Sequence, residues 1–508
     1  MQLDDRPAES HPARPTVSIL VVLLLTLASA FFLYQKNSNF DLEYHSDEHL
    51  KVTIAMTHHN TFRHPLLLIR SLQMADLIAD TTEPQKTVEL GRKVSAIYGT
   101  IFVLSCFLLF RELTSDRNAI VATIVAAFVP NIVVHAHYLK EDIYLIPFLM
   151  LSLRSLIRYL RSRGMSDLVM MGVFAGLAGS TKYLGLTMLV FFVLLPRLVR
   201  IENPPGYLKR VCFVAIPVAA AVFLLINVSM ADSTQFVDGL YTETRHAALG
   251  HRLAVFPWSQ YFSFHFFRSV IPGMGWSLVI PGIMTPILMW RRKVPFNTGE
   301  RALLAAGILF YVMIETTPLK PWPDFMRYAM PVVPVLAYFA VRGVSALTEK
   351  VPNPTAALIL FVSLLAALPI IDSWKLVKHL NRDTRAALAE RFPENDNLVF
   401  AESYTLAVRD GVLATRRELA DFERLGTRYV LTSSFNYDRY FLGETLRFQS
   451  PDIYVHAERY RRLFEHCQTE DIAPAYKTFA FSNPTIRIVS IGECSPDLSL
   501  PAIPGVSP

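Results

Sequence analysis

Two adjacent carboxylates, Asp47 and Glu48, stand in the segment Tyr44-His45-Ser46-Asp47-Glu48-His49, about ten residues after a long apolar run ends. In a solvated loop they would be a charged pair and no more, but at the edge of an apolar run such groups bind, orient or accept a proton. A second polar crowd, His135-Ala136-His137-Tyr138-Leu139-Lys140-Glu141-Asp142, leads directly into Ile143-Tyr144-Leu145. Interfacial snorkelling explains its Lys and a His, yet explains Glu141 and Asp142 poorly. Lys182 is wedged between apolar segments in Ser180-Thr181-Lys182-Tyr183, where an anionic phosphate is its natural partner and plain headgroup anchoring the alternative. Lys320 and Arg327 add two cations in the segment Pro318–Tyr328, ahead of Pro331 and Pro334. Between the first two crowds, His64-Pro65 opens Leu66–Asp80, in which Leu67, Leu68, Leu72, Met74, Ala75 and Ile78 share one helical arc and Arg70, Asp76 and Asp80 lie off it. A helix of that pattern can lie flat in a membrane interface.

The elements that position these groups follow from composition. Of 508 residues, 52% are hydrophobic and 18% charged, with 34 Phe, 20 Tyr and four Cys. Disorder, a disulfide scaffold and a collagen-like repeat are excluded, which leaves a polytopic membrane protein. The net charge of +6 is small for this length, and no nucleic-acid footprint is present. Eleven apolar runs are candidate spans, near 18–34, 94–110, 118–134, 142–157, 167–181, 183–196, 211–229, 272–290, 302–316, 328–342 and 355–371. Alternate connections carry Arg111 and Arg117, then Arg154 to Arg163, then Arg197 to Arg210, then Arg291 to Arg301, then Arg342 and Lys350. The positive-inside bias makes that set cytoplasmic. Residues 1–16 are then a cytoplasmic tail, the first outer loop is 35–93, and an odd span count leaves the C-terminus outside. Ala28-Ser29-Ala30 offers a signal-peptidase site, but Phe31-Phe32-Leu33 continues the apolar run and suits an uncleaved anchor. Beyond Asp372 short β-rich pieces, Leu398–Ala401, Tyr429–Thr432 and Ile486–Ile491, alternate with helical stretches such as His456–His466. The expected fold class is therefore an all-α membrane domain of about eleven transmembrane helices over 17–372, with a small extracytoplasmic α/β domain over 373–508. Cys467 and Cys494 fall in that domain, either bridged or as two free thiols.

Several motifs carry less. Gly172-x3-Gly176 lacks the GK[ST] of a phosphate loop and suits close helix packing. His58-His59 and His135/His137 could hold a divalent metal together with Asp47 or Asp142, though the spacing fits no standard zinc pattern, and no cofactor is otherwise implied. Asn227-Val228-Ser229 is a formal sequon placed inside a span.

Taken in order, these motifs resemble the GT-C membrane glycosyltransferases, in the branch of bacterial protein O-mannosyltransferases and lipid A aminoarabinose transferases. The resemblance covers roughly 17–345 and rests on Asp47-Glu48, His64-Pro65-Leu66-Leu67, Lys140-Glu141-Asp142, Thr181-Lys182-Tyr183-Leu184-Gly185, and Lys320 with Arg327-Tyr328-x2-Pro331-x2-Pro334. Tyr183 stands where the family commonly has Gly. The resemblance implies an inner-membrane, inverting glycosyltransferase that takes sugar from a polyprenyl-phosphate carrier and gives it to an extracytoplasmic protein hydroxyl or glycolipid sugar. It implies Asp47 as the base, Glu48 as its helper, and Lys140, Lys182 and Arg327 as phosphate-binding cations. Asp142, His64, Tyr183 and Lys320 are the implied substrate-binding residues. A transporter or flippase of a lipid-linked anion, or a non-catalytic assembly subunit, are the alternative classes. Transporters often show paired half-repeats and interrupted helices near the midplane, whereas here the polar residues gather at one membrane face.

Overall fold

The computed structural model describes residues 15–199, 206–227, 233–249, 262–316, 326–392, 399–402, 405, 427–441, 451–478 and 483–494. Its first half runs α1 (Val17–Gln35), α2 (Ser46–Thr57), α3 (Leu67–Ala79), α4 (Pro84–Phe110), α5 (Asp116–Phe128), α6 (Pro130–His135), α7 (Glu141–Ser162), α8 (Met165–Thr181) and α9 (Thr187–Val199). There follow α10 (Tyr207–Ile226), α11 (Ser233–Leu249), α12 (Phe266–Met274), α13 (Trp276–Arg291), α14 (Thr298–Thr316), a 3-10 segment Met326–Val332, α15 (Val333–Thr348) and α16 (Pro354–His379). Among the described residues six helices are long and apolar enough to cross a bilayer, α1, α4, α7, α10, the Met326–Thr348 helix and α16. The pair α12 and α13, bent by 108° at Gly275, makes a seventh if it is counted as one span. There φ is +78°, and a Cβ would lie 2.8 Å from the Pro369 ring, so glycine meets both the turn and the close approach. The remaining apolar runs fall on shorter or less apolar helices.

Local chemistry explains many boundaries. The Ser115 hydroxyl caps α5 at Asn118 N–H (3.5 Å), and Pro84 opens α4 at a position where no N–H is needed. At Gly172 and Gly176 a Cβ would stand 2.5 and 2.6 Å from the carbonyl oxygens of Ala215 and Ala219, so this spacing serves the contact of α8 with α10. The helix expected over 66–80 is α3. Leu68 and Leu72 of its expected arc are buried together with Ile69, while Met74, Leu77 and Ile78 are exposed.

Arginines of the predicted cytoplasmic set converge on two buried carboxylates. Glu112 receives Arg154 (3.2 Å), Arg158 (3.7 Å) and Arg161 (3.4 Å), and Glu300 receives Arg342 (3.3 Å). Glu112 and Arg92 lie near opposite ends of α4, about 30 Å apart along its axis. One end of the bundle is thus fixed by arginine, and the polar crowds around Asp47 and Lys140 gather at the other.

Beyond α16, which continues through Asp372, come α17 (Thr384–Arg391), α18 (Ser434–Phe441) and α19 (Pro451–His466). They pack on a sheet of β1 (Val399–Ala401), β2 (Tyr429–Ser433), β3 (Gln468–Ile472) and β4 (Ile486–Ser490), in the order β1-β2-β4-β3. The first pair is parallel and the others antiparallel, with Val430 and Thr469 flanking Val489. Leu388, Leu431 and Ile488 fill one face, and Val430, Val489 and Ile491 the other. A disulfide joins Cys467 to Cys494, which resolves the two readings of these thiols.

Candidate active site

Two helix starts meet at the site. His45 precedes α2 and its Nδ1 accepts the Asp47 N–H (3.3 Å), which places Asp47 and Glu48 in the first turn. Lys140 precedes α7 and places Glu141 and Asp142 in that first turn. Both starts thus carry paired carboxylates where the backbone N–H groups favour negative charge.

Asp47 is half-exposed, and its Oδ2 accepts the Lys140 ammonium and stands 3.5 Å from Arg327 Nη1. Burial works to raise its pKa, but Lys140, Lys51 and Arg327 outweigh it and hold the carboxyl well below the usual range. Burial, by contrast, pushes His45 well down and keeps its imidazole neutral, with the same three cations adding to that effect.

Glu48 points the other way. It is fully buried, accepting from Arg92 Nε at 3.1 and 3.2 Å and from Arg92 Nη2, while the Leu139 N–H bonds its Oε1 at 2.7 Å. The side chain therefore ties the start of α2 to α4 and to the second crowd, and offers no face to a substrate. Glu141 is buried between Lys51 (2.8 Å), Lys140 (3.8 Å) and the half-buried His64 (3.9 Å). Burial lowers the His64 pKa, with Glu141 opposing.

Asp142 accepts Lys182 Nζ at 2.9 Å, and its other oxygen is buried without a hydrogen-bond partner. Lys182 also stands 5.0 Å over the Tyr328 ring, and Arg327 lies 5.1 Å over the same ring while donating to the Tyr328 hydroxyl (3.2 Å). The turn that presents Lys182 is tight: a Cβ on Gly185 would lie 2.3 Å from the Ala178 carbonyl. Tyr183 donates to the Phe62 carbonyl (3.0 Å), and Asn227 accepts the Leu66 N–H (2.8 Å), so both fasten the segment between α2 and α3. The sequon asparagine is thus an internal bracket.

The structure brings together Asp47, Lys140, Asp142, Lys182, Arg327 and, at the rim, His64; Tyr183 supports the loop and Glu48 anchors it from behind. Lys320 lies outside the described residues. Lys51 and Arg92 are functional neighbours that the sequence reading missed. Lys51 sits four residues, one helical turn, after Asp47, and Arg92 comes two residues before the apolar run at 94.

Among the described residues no three His, Cys, Asp or Glu side chains gather as a metal site. His137 sets its ring nitrogens against the carbonyls of Val133 (2.6 Å) and Lys36 (3.0 Å), and His58 pairs with Gln73 (2.9 Å). An apolar cavity of about 590 Å³ opens between α12, α13, α14 and α15, lined by Phe266, Ile283, Ile308, Tyr311 and Phe339. Phe266 of its lining follows His265 in the chain, and the His265 ring is 6.2 Å from that of Tyr328.

Over residues 85–228 the chain matches the dolichyl-phosphate-mannose-protein mannosyltransferase family. No curated protein matches it in sequence. In structure it is similar to ArnT from Cupriavidus metallidurans bound to undecaprenyl phosphate, at 13% identity and TM-score 0.55, covering 96% of this chain and all of that one. It is also similar to the archaeal oligosaccharyltransferase AglB from Archaeoglobus fulgidus, in complex with an inhibitory peptide and a dolichol-phosphate. That match has 15% identity and TM-score 0.53, covering 91% of this chain and 74% of that one. The fold is that of the GT-C membrane glycosyltransferases, as the ordered motifs imply.

Proposed function

We propose that this chain is an inverting glycosyltransferase that moves a sugar from a polyprenyl-phosphate carrier to an acceptor hydroxyl on the outer side of the inner membrane. One observation carries the reading: a half-exposed carboxylate, Asp47, stands at a helix start against Lys140 and Arg327, with the Lys182–Asp142 pair beside them. The acceptor O–H attacks the anomeric carbon and its proton passes to Asp47. The bond from that carbon to the phosphate oxygen breaks, and its electron pair leaves on the lipid phosphate. The transition state is oxocarbenium-like, as for other glycosyl transfers. Cations fixed in a partly desolvated cleft then meet the negative charge as it grows.

The ion pairs also suggest an order of events. Before donor arrives, Lys140 and Arg327 are engaged by Asp47. A phosphate competes for the same cations, and as they turn to it the carboxylate regains basicity where the acceptor proton must go. His64 at the rim and Asp142 face the sugar or acceptor in this reading, and Lys320 keeps the substrate-binding role that the resemblance implies.

The wider reading keeps eleven spans, a cytoplasmic segment 1–16 and an outer domain 373–508. The disulfide suits an oxidising compartment on that side. The apolar cavity lined by Phe266 suits the isoprenoid tail, and ArnT and AglB, which share the fold, were solved with polyprenyl phosphates. A protein hydroxyl and a glycolipid sugar are both open as acceptor. Incubating the purified chain with synthetic polyprenyl-phosphate sugars and both acceptor classes tests the proposal. Release of free polyprenyl phosphate with a new glycoside of inverted configuration is expected; binding without turnover for every donor would overturn it.

A further inference from the structure

The segment leading into the Asp47 helix is held at its main chain by two arginines from distant parts of the molecule. Arg92, on α4, donates to the carbonyls of Ser38 (3.0 Å), Phe40 and Asp41 (3.3 Å). Arg385, in the first turn of α17, donates through Nη2 to the Tyr44 carbonyl (3.0 Å) and lies 4.5 Å over the Tyr44 ring. Tyr44 is followed by His45, the residue that caps α2, so the Arg385 contact ends one residue before the cap and three before Asp47.

Arg385 is itself held. Its guanidinium takes both oxygens of Asp383, Nε to Oδ1 at 2.8 Å and Nη2 to Oδ2 at 2.7 Å, and both side chains are nearly inaccessible to solvent. Asp383 also accepts the Asn483 N–H (2.6 Å), and the Thr384 N–H donates to the Asn483 side chain (3.1 Å), just ahead of β4. Around this point the contact is apolar, with Phe40, Tyr138, Leu376 and Leu380 packed together. A planar fork locked on a carboxylate and donating also to a backbone carbonyl fixes direction as well as distance.

We propose that Arg385 is a positioning residue for Asp47, seating the Leu42–Tyr44 turn and so the start of α2 against Lys140 and Arg327. This rests on Asp47 as the proton acceptor, and it gives the C-terminal sheet region a part in the chemistry: it supplies the outer clamp of the loop.

The test uses the full-length chain in detergent, comparing Arg385→Gln, Arg385→Lys and Asp47→Asn with the unsubstituted protein. Deuterium uptake over residues 38–57 reads the seating directly and needs no turnover. Donor-side binding is read with undecaprenyl phosphate, turnover with polyprenyl-phosphate sugars, and folding by melting temperature. In Arg385→Gln, uptake over 42–51 should rise several-fold while the C-terminal strands stay protected. Turnover should fall about tenfold or more, as a small misplacement of a reacting group predicts. Undecaprenyl phosphate affinity should change less than about twofold, and Arg385→Lys should recover part of both uptake and turnover. Should Arg385→Gln fail to fold, Arg385→Lys carries the test alone, with intermediate values of both expected. Unchanged uptake overturns the proposal, as does a fall in turnover matched by equal losses of affinity and melting temperature. Raised uptake with full turnover also overturns it. Asp47→Asn then tells which reading failed: if active, Asp47 is not the base; if inactive, the base stands and only its dependence on Arg385 is lost.

Discussion

Asp47 and Lys140 meet as carboxylate and ammonium across 93 residues of chain, each at the start of a different helix, with Glu141 a further 3.8 Å contact of the same ammonium. The proton acceptor and the first phosphate cation of the proposed reaction are therefore one ion pair in the resting site.

Replacing Asp47 by Asn keeps the shape and the hydrogen-bonding reach while removing the base. Turnover should fall by about 10² or more. Melting temperature should stay close to that of the unsubstituted chain, and undecaprenyl phosphate should bind as well or better, since Lys140 and Arg327 are released from their carboxylate. Near-normal turnover would remove Asp47 from the mechanism.

The pH profile should show the cations around that carboxylate. Because Asp47 is held well below the ordinary value of about 3.9, it stays deprotonated, and competent as a base, as pH falls through the range where carboxyls usually titrate. Lys140→Gln removes one of the opposing charges, leaving Lys51 and Arg327, with Glu141 now less compensated. The acid limb of kcat/KM should then move to higher pH. A limb that stays in place, or moves down, would assign it to another group.

Lys182 has both a structural and a binding task, and two substitutions separate them. Lys182→Ala leaves Asp142 buried without its counter-charge, which typically costs about 3–5 kcal/mol, so melting temperature and donor affinity should fall together. Adding Asp142→Asn should restore much of the melting temperature but little of the affinity. Recovery of full affinity in the double variant would show that Lys182 serves Asp142 alone.

Glu48→Ala strips the fully buried Arg92 of its carboxylate and the Leu139 N–H of its acceptor. A loss of about 3–5 kcal/mol is expected for breaking such a pair, read by thermal denaturation in detergent. Stability within about 1 kcal/mol of the unsubstituted chain would contradict the anchoring role.

Much of the site was legible because polar residues at the ends of apolar runs have few reasons to be there; Asp47, Lys140, Asp142, Lys182 and Arg327 stand out that way and lie together in the fold. The division of labour between Asp47 and Glu48 was not legible. Neighbours in sequence, they point about 100° apart once the helix starts at Ser46, and only that start sends one to the cleft and the other to Arg92. Lys51 was hidden for the same reason, since its turn of helix had to be phased first. Strand β3 carries Gln468, Thr469, Glu470 and Asp471, all exposed along an edge, and so lacks the apolar alternation by which strands are recognised. Arg385 left no local sign, because its partners are a backbone carbonyl 341 residues earlier and the carboxylate two residues before it.

That separation bears on how the protein comes into being. Arg92 anchors the loop of Asp47 early in synthesis, but two further contacts arrive late, from Arg327, 280 residues after Asp47, and from Arg385 later still. A nascent chain that has made only its first helices holds Glu48 on Arg92 but carries Asp47 without Arg327 or Arg385 beside its loop. It acquires a complete reaction centre only after the last helix and the sheet beyond it have been made and docked. A partly translated chain waiting in the membrane thus lacks both late contacts of that loop.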